Sequence, residues 1–284
     1  MKKNKFEIDM CNGSIMDKLI SFSLPLMVSG ILQLAFNAVD IIVVGRFSGS
    51  QALAAVGSTT ALINVFTNLF IGISLGANVL AARFYAAGKD REMSETVHTS
   101  ITLALISGIM MAVIGVLLAK WALEIMGTPD DVIGQSALYM RIYFMGMPFF
   151  MLYNYGAAIL RAIGDTKRPL IFLIISGIAN AALNMTLVII FHMGVAGVAI
   201  GTIISQLISC VLVLTCLYRS EGSYQLRFSK LRINGAYMEQ IFQVGVPAGI
   251  QSTVINLSNA LLQSSVNSFG SIAMAGYTAA NNML

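Results

Sequence analysis

The residues most able to do chemistry lie between Leu19 and Gly45, in LISFSLPLMVSGILQLAFNAVDIIVVG. The stretch is long enough to cross a bilayer, since about 20 apolar residues suffice. Yet it carries Asp40, the single acidic residue that falls inside a hydrophobic span of this sequence. A carboxylate at membrane depth is costly, and it usually faces a bundle interior or water and takes part in transport. Gln33, Asn37 and Asp40 are spaced i, i+4, i+7 and share one helix face, with Phe36 beside them. The segment reads as an amphipathic membrane helix whose polar stripe looks at protein or a cavity. A simpler reading pairs Asp40 with Arg46 at the outer interface, but a separation of six residues does not align them on a regular helix. Pro25 lacks a backbone donor, which makes it the expected hinge of this helix.

The elements that must position these groups are membrane spans. Of 284 residues, 57% are hydrophobic and 11% charged, against about 25% charged in a soluble globular protein. After Leu19–Gly45, a second span lies within Ala52–Ala81, with Thr60, Asn64 and Asn68 on one face. A third covers about Thr96–Ala119 and a fourth about Ile133–Leu160. Pro169–Tyr218 holds no Asp, Glu, Lys or Arg in fifty residues, which makes two spans hinged near His192–Gly194. A basic connector, Arg219–Glu239, leads to a seventh span, a turn near Phe269–Ser271 and the start of an eighth.

With the N-terminus in the cytoplasm, 14 of the 17 basic residues fall inside; Arg46, Lys120 and Arg141 stay outside. That bias fixes a multi-pass protein with a cytoplasmic N-terminus and puts Asp40 in the outer half of the membrane. It also explains the net charge of +4 without a nucleic-acid partner. The first span is too long for a cleaved signal peptide. Cys11, Cys210 and Cys216 are too few and too scattered for a disulfide framework.

The seventh span echoes the first. FSLPLMVSG around Pro25 returns as VGVPAGIQS around Pro247, Asn37 matches Asn259, and Gly49–Gly57 matches Gly270–Thr278 with one residue of slippage. Leu262 stands where the first copy has Asp40. Six spans separate the copies, so both have one orientation and the repeat axis runs along the membrane normal. The expected fold is an all-α integral membrane protein: a six-helix transmembrane bundle (1–218), a cytoplasmic connector (219–239) and the first two helices of a second, duplicated bundle (240–284). The repeat predicts a missing C-terminal half of about 150–170 residues.

The sequence resembles the MATE (multidrug and toxic compound extrusion) family of secondary transporters. The resemblance is carried by LPLMVSGILQLAFNAVDIIVVGRFSGSQALAAVGS, MGTPDDV, LYNYGAAILRAIGDTKRPL, MGVAGVAIGTIISQ, VGVPAGIQ and VNSFGSIAMAGYTAANNM, in that order. It implies two six-helix bundles facing across a cleft in the plasma membrane, and export of bulky, often cationic organic compounds against an inward flow of Na+ or H+. The residues matching the family's cation site are Asp40, Asn180, Asn184 and Thr202. Asn154 matches a cavity position, joining Gln33, Phe36, Asn37, Asn64 and Asn68 as the expected substrate cavity. Some members carry a second carboxylate where this chain has Asn184, so a single negative charge remains here.

The residues themselves leave the ion open. Asp40, two amide oxygens and a hydroxyl are hard ligands suited to Na+. The same cluster suits a proton, because burial disfavours a charged carboxylate. Asparagines in spans also serve as interhelical hydrogen-bonding groups, worth about 0.6–2 kcal/mol. A lipid-linked saccharide flippase is the alternative transporter; its cavity would want basic residues within the spans, where only Arg141 lies. An intramembrane enzyme is disfavoured: Asp130 and Asp131 stand alone in a loop, and no His-Glu-x-x-His, Ser-His-Asp or CxxC pattern is present. No cofactor beyond the coupling ion is expected; lipid and a small organic substrate are the expected partners. His98 and His192 read as interface residues, the 17 methionines as apolar filler, and Lys230–Arg232 as part of the inner charge bias with contact to anionic headgroups.

Overall fold

The computed structural model describes residues 14–281, so the basic stretch before them and Cys11 lie outside it. The chain is helical almost throughout: α1 (Ile15–Phe47), α2 (Gly49–Ala86), α3 (Asp90–Ile125), α4 (Asp130–Met145), α5 (Met147–Ala162), α6 (Lys167–Met185), α7 (Gly194–Arg219), α8 (Gly235–Asn267) and α9 (Ser271–Asn281). No strand occurs among the described residues. Among the described residues, five helical segments are long and apolar enough to cross a membrane: α1, α2, α3, α6 with the turn that extends it to Ile190, and α7. Apolar side chains satisfy the requirement of the lipid, and the helical backbone satisfies its own hydrogen bonds.

Two of the expected spans depart from a continuous apolar helix. The fourth apolar stretch is broken at Gly146 into α4 and α5 of 16 residues each, because Pro148 opens a new helix in its first turn. The start of α5 lies hard against α3: a Cβ on Gly108 would come 2.6 Å from Pro148 Cα. Likewise α8 is long enough to span, at 33 residues, but its Gln, Asn and Ser side chains keep it out of the apolar group.

The fifth stretch ends differently from a plain helix. After Met185 the chain widens into a π-helical turn, Thr186–Ile190, and Phe191 N–H reaches back to the Thr186 carbonyl at 3.2 Å. His192, with φ of +53°, then turns the chain into α7.

The two proline-bearing helices share a plan. Both α1 and α8 have 33 residues and run unbroken through an internal proline, Pro25 or Pro247. Each is followed by a glycine in the left-handed region, Gly49 and Gly270, both at φ of +87°. A side chain there would be strained, so glycine is the residue for this turn. These are the glycines paired in the sequence repeat.

Helix α8 lies directly on α2, through glycines on both sides. A Cβ on Gly72 would meet Gly249 Cα at 2.2 Å, and one on Gly76 would meet the Ile241 carbonyl at 2.1 Å. In return, a Cβ on Gly245 would stand 2.5 Å from Ile73 Cα, and one on Gly249 2.5 Å from the Leu69 carbonyl. Both helices thus carry small-xxx-small spacing, which lets backbones approach closely. At its far end α8 holds the cap of α3: Ser264 Oγ (3.2 Å) and Asn267 Nδ2 (3.0 Å) both donate to the Met126 carbonyl.

Candidate functional site

Helix α1 is mostly open to its surroundings, with Pro25, Val43 and Val44 its buried residues. It meets α6 through Phe36 and Asp40, one turn apart. The Phe36 ring sits where Gly177 has no side chain; a Cβ there would come 1.9 Å from Phe36 Cε2. One turn further along, Asn184 Nδ2 donates to Asp40 Oδ1. The predicted stripe therefore divides. Phe36 and Asp40 turn to α6, whereas Gln33 and Asn37 are exposed on the described molecule.

From Asp40 a chain of polar contacts runs into the bundle. Asn184 also donates to Asn180 Oδ1, at 3.3 Å. Asn180 Nδ2 lies 3.5 Å from both Thr202 Oγ1 and Ser205 Oγ on α7, the long end of hydrogen bonding. Thr202 Oγ1 donates to the Val198 carbonyl at 2.9 Å, and Ser205 Oγ to the Thr202 carbonyl at 2.7 Å. Asn184 is fully buried, Asn180 and Ser205 nearly so. The π turn begins two residues after Asn184, and such turns are frequent at functional sites. Seven residues of helix, about 10 Å, separate Asp40 from the end of α1. There a cavity of about 310 Å³ opens beside Phe47, Ser48 and His192.

One atom of this cluster stands out. Asn184 Oδ1 is buried and accepts no hydrogen bond from protein. It lies against Gly201 of α7, where a Cβ would come 2.0 Å from it. An oxygen without a donor is what a cation or a proton donor would satisfy. The oxygens gathered here are one carboxylate, two amides and two hydroxyls, a donor set that fits Na+ or a proton. Sequence reasoning missed Ser205 and Gly201. The signal for Ser205 was its i+3 spacing from Thr202; Gly201 gave none beyond its place before Thr202.

The remaining cavity candidates have local partners. Asn68 Nδ2 donates to the Asn64 carbonyl (2.6 Å) and Asn154 Nδ2 to the Phe150 carbonyl (2.8 Å), each within its own helix. Asn78, by contrast, joins two helices: its Nδ2 donates to the Ala158 carbonyl at 2.6 Å. His98 also departs from expectation. It is buried, accepts at Nε2 from Arg227 N–H (3.1 Å) and contacts the Ser94 carbonyl through Nδ1 (2.6 Å), so it fastens the connector rather than facing lipid.

The MatE family model matches residues 25–186, which include α1 from Pro25 onward with its polar residues, and all of α6. This chain belongs to the MATE family. It is 33% identical over 279 residues to the probable multidrug resistance protein YoeA of Bacillus subtilis, covering 95% of this chain and 60% of that protein. To the probable multidrug resistance protein YpnP of the same organism it is 28% identical over 278 residues, covering 97% and 61%. Its fold matches the solved structure of the MATE multidrug transporter DinF-BH, with a TM-score of 0.88 at 22% identity over 99% of this chain and 62% of that one. The chain thus spans about three fifths of the length of these relatives. They are named for multidrug resistance, and the saccharide flippase finds no support among them.

Proposed function

We propose that the full-length protein containing this chain exports bulky, often cationic organic compounds in exchange for Na+ or H+, with Asp40 as the coupling residue. The observation that carries this reading is the polar chain from Asp40 through Asn184 and Asn180 to Thr202 and Ser205, set within apolar helices. A half-buried carboxylate that takes one amide donor, with an unpartnered amide oxygen on the same Asn184 side chain, is suited to take up a monovalent cation. Binding would compete for Asp40 with the Asn184 amide, the hydrogen bond that, beside the Phe36–Gly177 contact, joins α1 to α6. A ligand shifts a conformational equilibrium only by its differential affinity for the two states; a cation that replaces the Asp40–Asn184 bond has such a difference. Gln33, Asn37, Asn64, Asn68 and Asn154 are the substrate-facing groups of this proposal, and Pro25 is where α1 bends. The chain supplies the first bundle of six spans in the plasma membrane, with its N-terminus in the cytoplasm, and the missing half supplies the rest of the second.

The test is efflux from vesicles holding the full-length protein under an imposed Na+ or H+ gradient. Asp40→Asn is nearly isosteric and keeps the protein folded. We expect ion-driven ethidium efflux to fall to background. Wild-type rates under both gradients would show that Asp40 is not the coupling group.

A further inference from the structure

The face where α2 and α7 end and α3 begins carries a second polar site, unrelated to Asp40. Here the connector folds back on α3. Arg232 Nη2 bonds Glu95 Oε1 at 2.9 Å, Asn234 Nδ2 bonds the other oxygen at 2.5 Å, and Arg91 stands 3.6 Å away. Against these groups lies a cavity of about 690 Å³, lined by Arg91, Glu95, Ser229, Lys230 and Arg232 among others. Its charged lining is three cations to one carboxylate. That carboxylate is already satisfied by Arg232 and Asn234, while Lys230 forms no ion pair among the described residues. Glu92 lines the adjoining cavity of about 550 Å³ instead. The excess of two positive charges calls for an anion.

What lies beside the cavity indicates where that anion comes from. Phe228, next to Ser229, is exposed and stacks on exposed Tyr218 at the end of α7, with ring centroids 5.8 Å apart. Aromatic rings at the end of an apolar span belong at headgroup level. Basic side chains near that level attract anionic lipid. We propose that this cavity binds a phosphate-bearing anion, held by Arg91, Lys230 and the free donors of Arg232. Carried on a phospholipid, the phosphate would sit in the cavity while the Phe228–Tyr218 pair lies against the chains.

The experiment is native mass spectrometry of the full-length protein, titrated with dioleoylphosphatidylglycerol, with dioleoylphosphatidylcholine and with inorganic phosphate. The double variant Arg91→Gln/Lys230→Gln removes two exposed charges and leaves the helices intact. We expect it to weaken phosphatidylglycerol binding about tenfold or more, on the scale of two basic contacts with an anionic surface. Lys120→Gln, at the other end of α3, leaves binding unchanged. If inorganic phosphate displaces the lipid from the wild type but not from the double variant, free phosphate is a competent occupant. If it does not displace the lipid and Phe228→Ala releases it, the lipid is the occupant. Equal binding of all three probes by wild type and double variant would overturn the proposal. None of these outcomes depends on ion coupling at Asp40.

Discussion

Asn184 directs both of its amide hydrogens to oxygens, Asp40 on one side and Asn180 on the other, and leaves its own oxygen against a glycine. The orientation of that amide is therefore set by the absence of a side chain on α7. Gly201→Ala places a methyl 2.0 Å from Asn184 Oδ1 and displaces the amide from Asp40. Overpacking of this kind costs about 1–3 kcal/mol, more than the roughly 1 kcal/mol that alanine gains over glycine in a helix. The melting temperature in detergent should fall, and the concentration of coupling ion at half-maximal efflux should shift. Gly134→Ala is the control: nothing stands within 4 Å of its Cβ, so stability should rise or hold. Asp40 was legible in the sequence because a charge inside a span is conspicuous. Asn180, Asn184 and Thr202 came from family resemblance, since an amide or hydroxyl in a membrane helix has many structural uses. Gly201 and Ser205 were not legible: their roles depend on which atoms face them across an interface.

At the scale of helices, apolarity and charge-free length located the spans but not their interruptions. The residues around Gly146 are as apolar as their neighbours, so only Pro148 hinted at the break between α4 and α5. The π turn after Met185 had no compositional mark, because one extra residue in a turn changes no hydropathy pattern. The crossing of α2 and α8 was equally silent; glycines four apart are common in membrane helices and do not name their partner. Its energetics are testable. Gly245→Leu drives a branched side chain into the Ile73 backbone, where even a Cβ would come within 2.5 Å. A clash with backbone cannot be relieved by a rotamer change, so α8 must leave α2 locally. Gly245→Leu should therefore lower the melting temperature of the full-length protein in detergent by several degrees. An unchanged melting temperature would mean that the two backbones do not touch there.

For the molecule as a whole, the connector is fixed to the bundle and does not hang from it. Tyr224 and Leu226 are buried, Arg227 N–H is held by His98, and Asn234 N–H by Thr99 Oγ1 at 3.2 Å. His98→Ala removes the acceptor of the Arg227 amide, a net loss of about 1 kcal/mol for one hydrogen bond. Limited proteolysis of the full-length protein should then cut within residues 220–234 faster than in the parent, while His192→Ala, in the turn before α7, has no such effect. Sequence alone marked this segment as a linker because it is polar and basic; its attachment was hidden in a histidine read as an interface residue. The four-glycine crossing has a mechanical meaning at this scale. Helices normally mesh by side-chain ridges, and meshed ridges can slip by one turn and settle in the next groove. At the four glycines there are no ridges to slip: backbone of one helix faces backbone of the other at Leu69, Ile73 and Ile241. Farther along, side chains take over, where Phe84 packs edge-on against Tyr237. Sliding by one turn would drive a neighbouring side chain into the bare patch, so α8 leaves α2 there only by parting from it.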